Sequence, residues 1–297
     1  MLRNEDIGTL VEALPYLRDF KGKTVVVKYG GNAMINEEIK TKVLQDIVFL
    51  QCAGLRPVVV HGGGPEITAM LAKAGKKSTF VNGLRVTDAE SVGIAEMALV
   101  GKINTELVAR INVLGGNAVG LNGKDANLIV AKKHLADVYE NGEVNLVDIG
   151  FVGNVEKVNT SLLEVLLDNN FIPVIAPTGV GATGETYNIN ADSVAGEVAG
   201  ALKAEKLLVL TDVKGIYSDY RDENSFISTL SFEKAQELII RGSIDGGMIP
   251  KVKACITALS GGAKKAHIID GRVEHTILSE IFSDEGIGTE VVKEVEA

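Results

Sequence analysis

The sequence predicts a three-layer αβα sandwich around a central, mainly parallel β-sheet. Short apolar segments rich in Val, Ile and Leu alternate with longer segments of helical periodicity, an order typical of α/β proteins. Most of the apolar segments lack a polar face, which indicates strands covered on both sides. The chain has 297 residues, of which 46% are hydrophobic, enough for one large or two ordinary domains with a sizeable core.

Composition and charge argue against several classes of protein. The formal net charge is −9, with 30 Lys and Arg against 39 Asp and Glu, so a general nucleic-acid-binding protein is not expected. We expect a cytoplasmic protein without membrane contact, because no apolar segment reaches the length of a membrane span and the N-terminus lacks a signal-peptide core. Cys52 and Cys255 are expected to be buried free thiols. The four His lie outside zinc-ligand spacing, so no protein metal site is predicted.

An amphipathic helix is predicted over residues 4–18, ahead of the first core strand. Its apolar positions fall on one side of the helix, and Pro15 should kink it. Such an extension in front of a complete domain is often a contact between subunits. The same pattern also fits a helix folded back on its own domain, and both interpretations stay open.

Two glycine-rich strand ends follow. Residues 24–27 form a β-branched segment that ends at Lys28 and runs into Gly30 and Gly31, and residues 57–65 repeat the arrangement as PVVVHGGGP. A helical pattern follows each turn, so backbone N–H groups lie close to a helix N-terminus. If the strands are adjacent and parallel, both loops face one crevice at the carboxyl edge of the sheet. Together they predict a phosphate site, whereas Lys28 alone could be a lysine beside an ordinary turn.

The next elements are predicted from apolar periodicity and turn residues. In chain order they are a hairpin over 79–86 turned at Asn-Gly, a helix over 88–114 capped by Asp88, short strands within 117–151, a helix over 160–168 and a buried strand over 171–177. A glycine-rich segment over 177–186 follows. We place a domain boundary near it, which gives predicted domains of residues 1–181 and 182–297.

The second domain continues the alternation of helices and strands. It is predicted to contain a helix over 193–202, a strand over 206–211, a glycine turn over 212–217, a helix from the cap Ser231 to 240, a helix over 252–260 and a strand over 264–269. This order completes the predicted sandwich.

The common nucleotide motifs fail on this sequence. A Walker A motif that ends at Gly22-Lys23-Thr24 would need glycine at position 17, which is Leu17. The first strand is not followed by G-x-G-x-x-G, and the sequence lacks the H-R-D of protein kinases. A nucleotide-dependent enzyme with this sequence must therefore use another phosphate-binding arrangement.

One family does match. The chain contains, in this order, VVVKYGGN, VVHGGGP, NGLRVT, YNINAD, LLVLTDVKGIY and GGMIPKV. Together these segments closely resemble the N-acetyl-L-glutamate kinases of the amino acid kinase family, and the resemblance covers essentially the whole chain. The shorter segments are shared with other amino acid kinases, whereas NGLRVT together with NINAD is more specific. The resemblance implies the fold of that family and ATP-dependent phosphorylation of the γ-carboxylate of N-acetyl-L-glutamate, the committed step of arginine biosynthesis.

The resemblance also implies roles for particular residues. Lys28 and Lys251 would neutralise the transferring phosphoryl group, and Asp192 would orient both ammonium groups. The phosphate-binding N–H groups would be those of Gly30, Gly31 and Gly63. The remaining implied sets are Gly63, Gly64, Arg85, Asn188 and Asn190 for the substrate, and Asp212, Lys214, Gly215, Ile216 and Tyr217 for ATP. Mg²⁺ is expected on the ATP phosphates, where it needs few protein ligands.

The implied chemistry suits these residue types. A carboxylate is already ionised at neutral pH, so its attack on phosphorus needs no general base. The difficulty is that one anion attacks another, and positioning with charge neutralisation should therefore dominate catalysis. His61 is accordingly interpreted as a structural hydrogen-bonding group rather than as a base.

Simpler roles stay open for several residues. Asp192 could be only the N-cap of the following helix, which is the commoner role of such a residue. Arg85 could be a solvated hairpin residue, Lys251 a surface lysine, and residues 212–217 a plain turn that needs Gly215. For the whole protein, the alternatives are a kinase for carbamate, aspartate or glutamate, or a sensor of arginine or nucleotide without turnover.

The C-terminal segment HIIDGRVEHTILSEIFSDEGIGTE and the N-terminal helix resemble those of the arginine-inhibited, hexameric members of the family. Tyr16, His267, Glu280 and Gly286 would then bind L-arginine, with Glu280 facing its guanidinium. The alternative is that these are surface groups near a C-terminal strand. The resemblance further implies a homo-hexamer built as a trimer of dimers, and it makes a PII-type signalling protein a candidate partner.

Overall fold

A computed structural model describes residues 8, 11–34, 36–140, 143–283 and 286–294, and a central eight-stranded sheet organises them. The strands, in chain order, are β1 Thr24–Tyr29, β2 Arg56–His61, β3 Phe80–Val81, β4 Leu84–Arg85, β5 Ala118–Asn122, β6 Ile129–Glu140, β7 Glu143–Val158, β8 Ile172–Ala176, β9 Thr178–Val180, β10 Thr186–Asn188, β11 Lys206–Thr211, β12 Ile216–Tyr217, β13 Phe226–Ile227, β14 Thr229–Ser231, β15 Lys265–Asp270 and β16 Thr289–Val292.

The central sheet has the strand order β14-β16-β15-β11-β1-β2-β8-β5. Its neighbouring strands are parallel except for the pair β15 and β16. Strands β1 and β2 lie side by side at the middle, which confirms that the two glycine-rich ends belong to adjacent parallel strands.

Helices cover both faces of this sheet. They are α1 Leu14–Phe20, α2 Glu37–Cys52, α3 Gly64–Lys73, α4 Ala89–Glu96, α5 Thr105–Val113, α6 Ser161–Asp168, α7 Ala191–Ala201, α8 Phe232–Ile240, α9 Met248–Gly261 and α10 Thr276–Phe282. Because side chains alternate along a strand, Val26 of β1 packs in a core with α7 and α9, while Val25 and Val27 pack in a second core with α2 and α5. The predicted three-layer αβα sandwich is confirmed. None of the described helices is long and apolar enough to cross a membrane.

Several predicted boundaries are confirmed by their caps. Asp88 accepts a hydrogen bond from the Ser91 N–H at 2.7 Å at the start of α4, and Ser231 accepts one from the Lys234 N–H at 3.1 Å at the start of α8. The hairpin turn at Asn82 and Gly83 has positive φ at both residues, as an Asn-Gly turn requires. The start of the helix predicted over 4–18 lies outside the described residues. The described residues show α1, which covers the C-terminal part of that predicted helix.

Of the short strands predicted within 117–151, β5 is confirmed, and the prediction is wrong for the rest of that range. Strands β6 and β7 form one long antiparallel hairpin of 12 and 16 residues, and β9 and β10 close it into a four-stranded barrel. The glycines and asparagines that suggested breaks are absorbed within the hairpin, where the register shifts between Val130 and Ala131 and between Lys133 and Leu135. Turn-forming residues therefore mark irregular pairing here, not strand ends.

The helix predicted over 88–114 contains a π-helix, Met97–Asn104, between α4 and α5. Its apolar spacing is close enough to that of an α-helix that periodicity does not reveal it. The helix predicted over 252–260 begins earlier, at Met248, because Pro250 is tolerated in a first turn, where its missing N–H has no partner.

The two thiols differ in exposure. Cys255 is buried within α9, and burial raises its pKa, whereas Cys52 at the C-terminal end of α2 is exposed. The prediction of a buried thiol is therefore wrong for Cys52. Both cysteines are free.

Helices α7 and α9 touch through their backbones. A Cβ on Gly196 would lie 2.6 Å from the carbonyl oxygen of Ala254, and a Cβ on Gly261 would lie 2.8 Å from the Cα of Gly200. Only residues without a side chain allow this approach. The two helices are consequently in close contact near their middles and again at their last turns.

Candidate active site

The two glycine loops meet at the carboxyl edge of β1 and β2. Tyr29 lies opposite His61 in the parallel register, and the Gly62 N–H donates to the Tyr29 carbonyl at 2.7 Å. A Cβ on Gly62 would lie only 3.5 Å from the Cα of Gly30, so the loop backbones are in contact. The structure thus brings together the two loops that the sequence predicted to share a crevice.

Two lysines converge on one carboxylate beside these loops. The Lys28 Nζ lies 2.9 Å from Asp192 Oδ1, and the Lys251 Nζ lies 3.6 Å from Asp192 Oδ2 and donates to the Gly247 carbonyl at 3.0 Å. Lys28 comes from the end of β1, Asp192 from the first turn of α7 and Lys251 from the first turn of α9. Burial lowers the pKa of Lys251, the charge of Asp192 raises it, and Lys28 lowers it further. We call these three residues the Lys–Asp–Lys cluster.

The simpler interpretation of Asp192 as an N-cap is wrong. The cap of α7 is Asn190, whose side-chain oxygen accepts hydrogen bonds from the N–H groups of Asp192 at 2.8 Å and Ser193 at 3.3 Å. The carboxylate of Asp192 is therefore released for the two lysines. The interpretation of Lys251 as a surface lysine is also wrong, since its side chain is only 16% exposed.

Arg85 is a buried cation. It ends β4, and its guanidinium donates to the Gly64 carbonyl at 3.0 Å, to Thr68 Oγ1 at 2.9 Å and to Ser78 Oγ. Burial lowers its pKa, and no carboxylate in the described part of the chain pairs with it. These bonds use three of the five guanidinium N–H groups and leave two for another acceptor. The interpretation of Arg85 as a solvated hairpin residue is wrong.

A cavity of about 490 Å³ joins these groups. The predicted site residues that line it are Lys28, Gly31, Gly63, Gly64, Arg85, Asn188, Asn190 and Asp192. Leu99 and Ile103 of the π-helix add an apolar wall. The cavity therefore offers cationic and amide groups together with an apolar surface, which suits a small carboxylate with an apolar substituent.

A second cavity lies on the other side of the Lys–Asp–Lys cluster. Residues 211–213 and 215–221 line it, together with the start of α9 and Lys251. Asp212, Gly215, Ile216 and Tyr217 of the predicted nucleotide set are among the lining residues. Lys214 is placed differently, with its Nζ 4.6 Å from the centroid of the Phe226 ring. Lys28 faces the first cavity and Lys251 the second, so the cluster lies where the two cavities adjoin.

The predicted effector residues form a separate buried cluster. His267 Nδ1 lies 2.9 Å from Glu280 Oε1, and the Lys206 Nζ lies 3.1 Å from the same oxygen. Burial alone would raise the pKa of Glu280, but His267 and Lys206 together lower it to about 2. Gly286 lies beside Glu280, since a Cβ there would lie 3.9 Å from Glu280 Oε2. The surface interpretation is wrong for His267 and Glu280.

Tyr16 belongs to α1, and the structure shows a link between that helix and this cluster through Phe20. The Lys206 Nζ lies 5.8 Å from the centroid of the Phe20 ring. Lys206 was not among the predicted residues. It is the first residue of the strand KLLVLT, a position at which a lysine is ordinarily interpreted as a solvated residue.

Other cavity residues were missed as well. Lys40 and Glu106 line the first cavity, and Lys40 Nζ contacts Glu106 Oε1 at 3.1 Å and Glu37 Oε1 at 2.7 Å. Both lie within helical segments whose polar positions resemble any solvated helix face. Their pairing across 66 residues leaves no local signal.

The chain is similar to known proteins of one family along most of its length. The sequence profile of the amino acid kinase family matches residues 23–270. The chain is 58% identical over 288 residues to the acetylglutamate kinase of Moorella thermoacetica, covering 97% of both proteins. It is 53% identical over 301 residues to the acetylglutamate kinase of Caldanaerobacter subterraneus subsp. tengcongensis, covering 99% of this chain and 98% of that protein.

Solved structures agree on the fold. An N-acetylglutamate synthase from Neisseria gonorrhoeae, complexed with coenzyme A and N-acetyl-glutamate, is similar with a TM-score of 0.81 and 28% identity over 98% of this chain, which spans 64% of the length of that synthase. The same synthase complexed with coenzyme A and L-arginine has a TM-score of 0.78 and 27% identity over 97% of this chain and 65% of its own. Carbamate kinase from Giardia lamblia bound to AMP-PNP is similar in fold, with a TM-score of 0.65 and 20% identity over 92% of this chain and 99% of its own.

Proposed function

The chain belongs to the amino acid kinase family, and we propose that it transfers the γ-phosphoryl group of ATP to the γ-carboxylate of N-acetyl-L-glutamate. The observation that carries this proposal is the Lys–Asp–Lys cluster between two adjoining cavities. Such an arrangement can bring two anionic reactants end to end and neutralise the group that passes between them. The relatives at 53% to 58% identity, which are acetylglutamate kinases, support the choice of substrate.

The cluster contributes charge and position. Lys28 and Lys251 approach Asp192 from two different elements, so their ammonium groups are held on either side of one carboxylate. In this role they stabilise the negative charge on the transferring oxygens, while the N–H groups of the glycine loops donate to the same oxygens. No residue needs to remove a proton, because the accepting carboxylate is ionised.

Arg85 and two asparagines would hold the substrate. Arg85 carries a buried positive charge without a carboxylate partner among the described residues and has two N–H groups left, which suits a substrate carboxylate. The side-chain oxygen of Asn190 is occupied as a helix cap, so its NH₂ group remains to donate. Asn188 lines the same cavity.

ATP would occupy the second cavity. Asp212, Gly215 and Tyr217 line it, and Lys251 marks the end that adjoins the substrate. Mg²⁺ would be carried chiefly by the ATP phosphates, where it needs few protein ligands. Because this cavity is lined only by residues after 181, we propose residues 1–181 as the substrate lobe and 182–297 as the nucleotide lobe.

The first experiment is a substrate panel. With Mg-ATP, the purified protein should release ADP with N-acetyl-L-glutamate at a kcat/KM at least about 100-fold above that with glutamate, aspartate or carbamate, because the apolar wall and the amide donors suit an acetylated amine. A coupled ADP-release assay measures this. Faster turnover of an unacetylated acid would make the protein a different amino acid kinase, and turnover of none would favour the non-catalytic sensor.

We further propose that L-arginine inhibits the enzyme at the cluster of Lys206, His267 and Glu280, and that the active form is a cytoplasmic homo-hexamer. The buried carboxylate of Glu280 suits a guanidinium, and the link from Lys206 to α1 offers a route to subunit arrangement. The related synthase complexed with L-arginine supports this ligand. A PII-type signalling protein is a candidate partner of the hexamer.

Arginine is expected to raise the apparent KM for acetylglutamate and to make its saturation curve sigmoidal. Because Glu280 is paired with two cations, Glu280→Ala would leave both without a partner, and Glu280→Gln is the milder test. It should weaken inhibition at least about tenfold, which corresponds to a coupling of the usual size. Glu274→Gln, at an exposed residue of the same segment, is the matched control.

Deletion of residues 1–20 should yield dimers with weakened inhibition, as measured by light scattering and kinetics. Full activity in millimolar arginine across a range of acetylglutamate concentrations would rule out the regulatory proposal without touching the kinase assignment.

A further inference from the structure

His61 and Asn104 form a fully buried polar pair directly beneath the second glycine loop. The Nδ1 atom of His61 lies 2.8 Å from the Gly62 carbonyl oxygen, and its Nε2 atom lies 3.2 Å from Asn104 Nδ2. Asn104 Nδ2 also donates to the Val174 carbonyl at 2.8 Å. Phosphoryl transfer to a carboxylate does not use His61 as a base, so the pair requires another explanation.

The neighbours of His61 assign its tautomer. The NH₂ group of Asn104 can only donate, so the Nε2 atom that faces it must accept. The single proton of the neutral ring is therefore on Nδ1, where it is donated to the Gly62 carbonyl. Burial lowers the pKa of His61 to about 4, which keeps the ring neutral at physiological pH.

This hydrogen bond fixes the orientation of the next peptide. In a planar trans peptide the C=O and N–H groups point in opposite directions, and no cis peptide occurs in the described part of the chain. Because the Gly62 carbonyl is held toward the imidazole, the Gly63 N–H points away from it. Gly63 lines the substrate cavity, and no backbone or side-chain acceptor within the described residues takes up its N–H.

The π-helix supports the same loop from its other side. Asn104 is the last residue of that helix, and Gly120 of β5 leaves the space that its side-chain oxygen fills. A Cβ on Gly63 would lie 2.6 Å from side-chain atoms of both Leu99 and Ile103 of the same helix. One irregular element therefore carries both the partner of His61 and the wall against which Gly63 packs.

We propose that His61 and Asn104 are positioning residues for phosphoryl transfer, which hold the Gly62–Gly63 peptide with its N–H directed to the transferring group. The inference rests on the proposed kinase function. The Gly63 N–H stabilises charge that develops in the transition state, so the pair acts on kcat more than on substrate KM. Neither residue touches the substrate, and both act through the loop.

The tautomer can be measured without any turnover. In ¹⁵N-histidine-labelled wild-type protein, the signal lost in His61→Asn identifies His61. That signal should show a protonated Nδ1 and an unprotonated Nε2 and should not titrate between pH 8 and pH 5. A proton on Nε2, or titration near the ordinary His pKa, would overturn the proposal.

Two variants separate the two ring nitrogens. The side-chain nitrogen of Asn lies close to the position of His Nδ1, whereas that of Gln lies close to Nε2. His61→Gln should lower kcat by about 10- to 100-fold with KM for acetylglutamate within about twofold, as expected when one donor to a transition-state anion is misaligned. His61→Asn should keep most of the wild-type kcat, because its side-chain nitrogen can still donate to the Gly62 carbonyl.

The matched control is His134→Asn. His134 forms an analogous contact with Asn154, Nδ1 to Nδ2 at 2.7 Å, on the long hairpin, and its replacement should leave kcat unchanged. Thermal unfolding of each variant accompanies the kinetics. Equal loss in the folded Asn and Gln variants, or no loss in either, would overturn the positioning role. Failure of the wild-type protein to phosphorylate acetylglutamate would instead remove the proposed function, while the tautomer measurement would still report on the geometry.

Discussion

Replacement of Lys28 with Met is expected to lower kcat for acetylglutamate phosphorylation by about 10³-fold or more, the range found for a cation that stabilises a transferring phosphoryl group. The Lys28 Nζ lies within 2.9 Å of Asp192 and lines the substrate cavity. Because its charge matters most when the phosphoryl group is in transit, the KM for acetylglutamate should change little. Single-turnover measurements with Mg-ATP separate the chemical step from product release.

Charge alone should not restore activity. In Lys28→Arg and Lys251→Arg the cation is kept, but a planar guanidinium replaces a compact ammonium. A Cβ on Gly30 would lie 3.1 Å from the Lys28 Nζ, so that ammonium group packs beside the loop, and a larger guanidinium there is expected to take another position. We expect a fall in kcat of at least about 100-fold for each variant. Lys23→Met, at the half-exposed residue just before β1, is the control. Near-normal kcat in either Arg variant would remove that lysine from the mechanism.

Asp192→Asn is expected to lower both activity and stability. The substitution keeps the size of the side chain and leaves the helix cap at Asn190 in place, but it removes the negative charge between two lysines. Loss of one partner from a buried ion cluster should lower the free energy of unfolding by about 3 kcal/mol. We expect kcat to fall at least about 100-fold even in protein that remains folded, because neither ammonium is then oriented.

The pH dependence of this variant gives a second measure. Burial already lowers the pKa of Lys251, and Asp192 raises it, so loss of the carboxylate lowers it further. Activity that needs protonated Lys251 is lost as pH rises through that pKa, and the alkaline limb of the pH–kcat profile should move to lower pH. The control is Asp88→Asn, at the cap of α4, which should leave kcat and its pH profile unchanged. An unshifted alkaline limb in folded Asp192→Asn would contradict the role of Asp192.

The layered architecture could be predicted because it depends on local patterns. The apolar segments of β1, β2 and β11 are buried, and Asp88 and Ser231 cap their helices through hydrogen bonds within a few residues. Such signals are complete within a short stretch of sequence. The parallel pairing of β1 and β2 also follows from the helix that connects them.

The site could be predicted only in part by physical reasoning from the sequence. Lys28 and Asp192 form an ion pair although they are far apart in the chain, and only the family resemblance predicted that they lie together. The N-cap of α7 is an example of what the sequence leaves open. Asn190 and Asp192 are both good capping residues, and which of them caps the helix depends on where α7 begins. Lys206 and Asn104 were missed because each acquires its role from a partner distant in the chain.

The backbone contact between α7 and α9 has a mechanical consequence for the catalytic cycle. With Gly196 against Ala254 and Gly200 against Gly261, neither helix can slide or tilt without a clash of main-chain atoms. If the proposed kinase opens to admit ATP or release ADP, we expect the two helices to move together. Asp192 and Lys251, which these two helices carry, would then keep their relative positions, so that any such movement changes their distance from Lys28 on β1 rather than from each other.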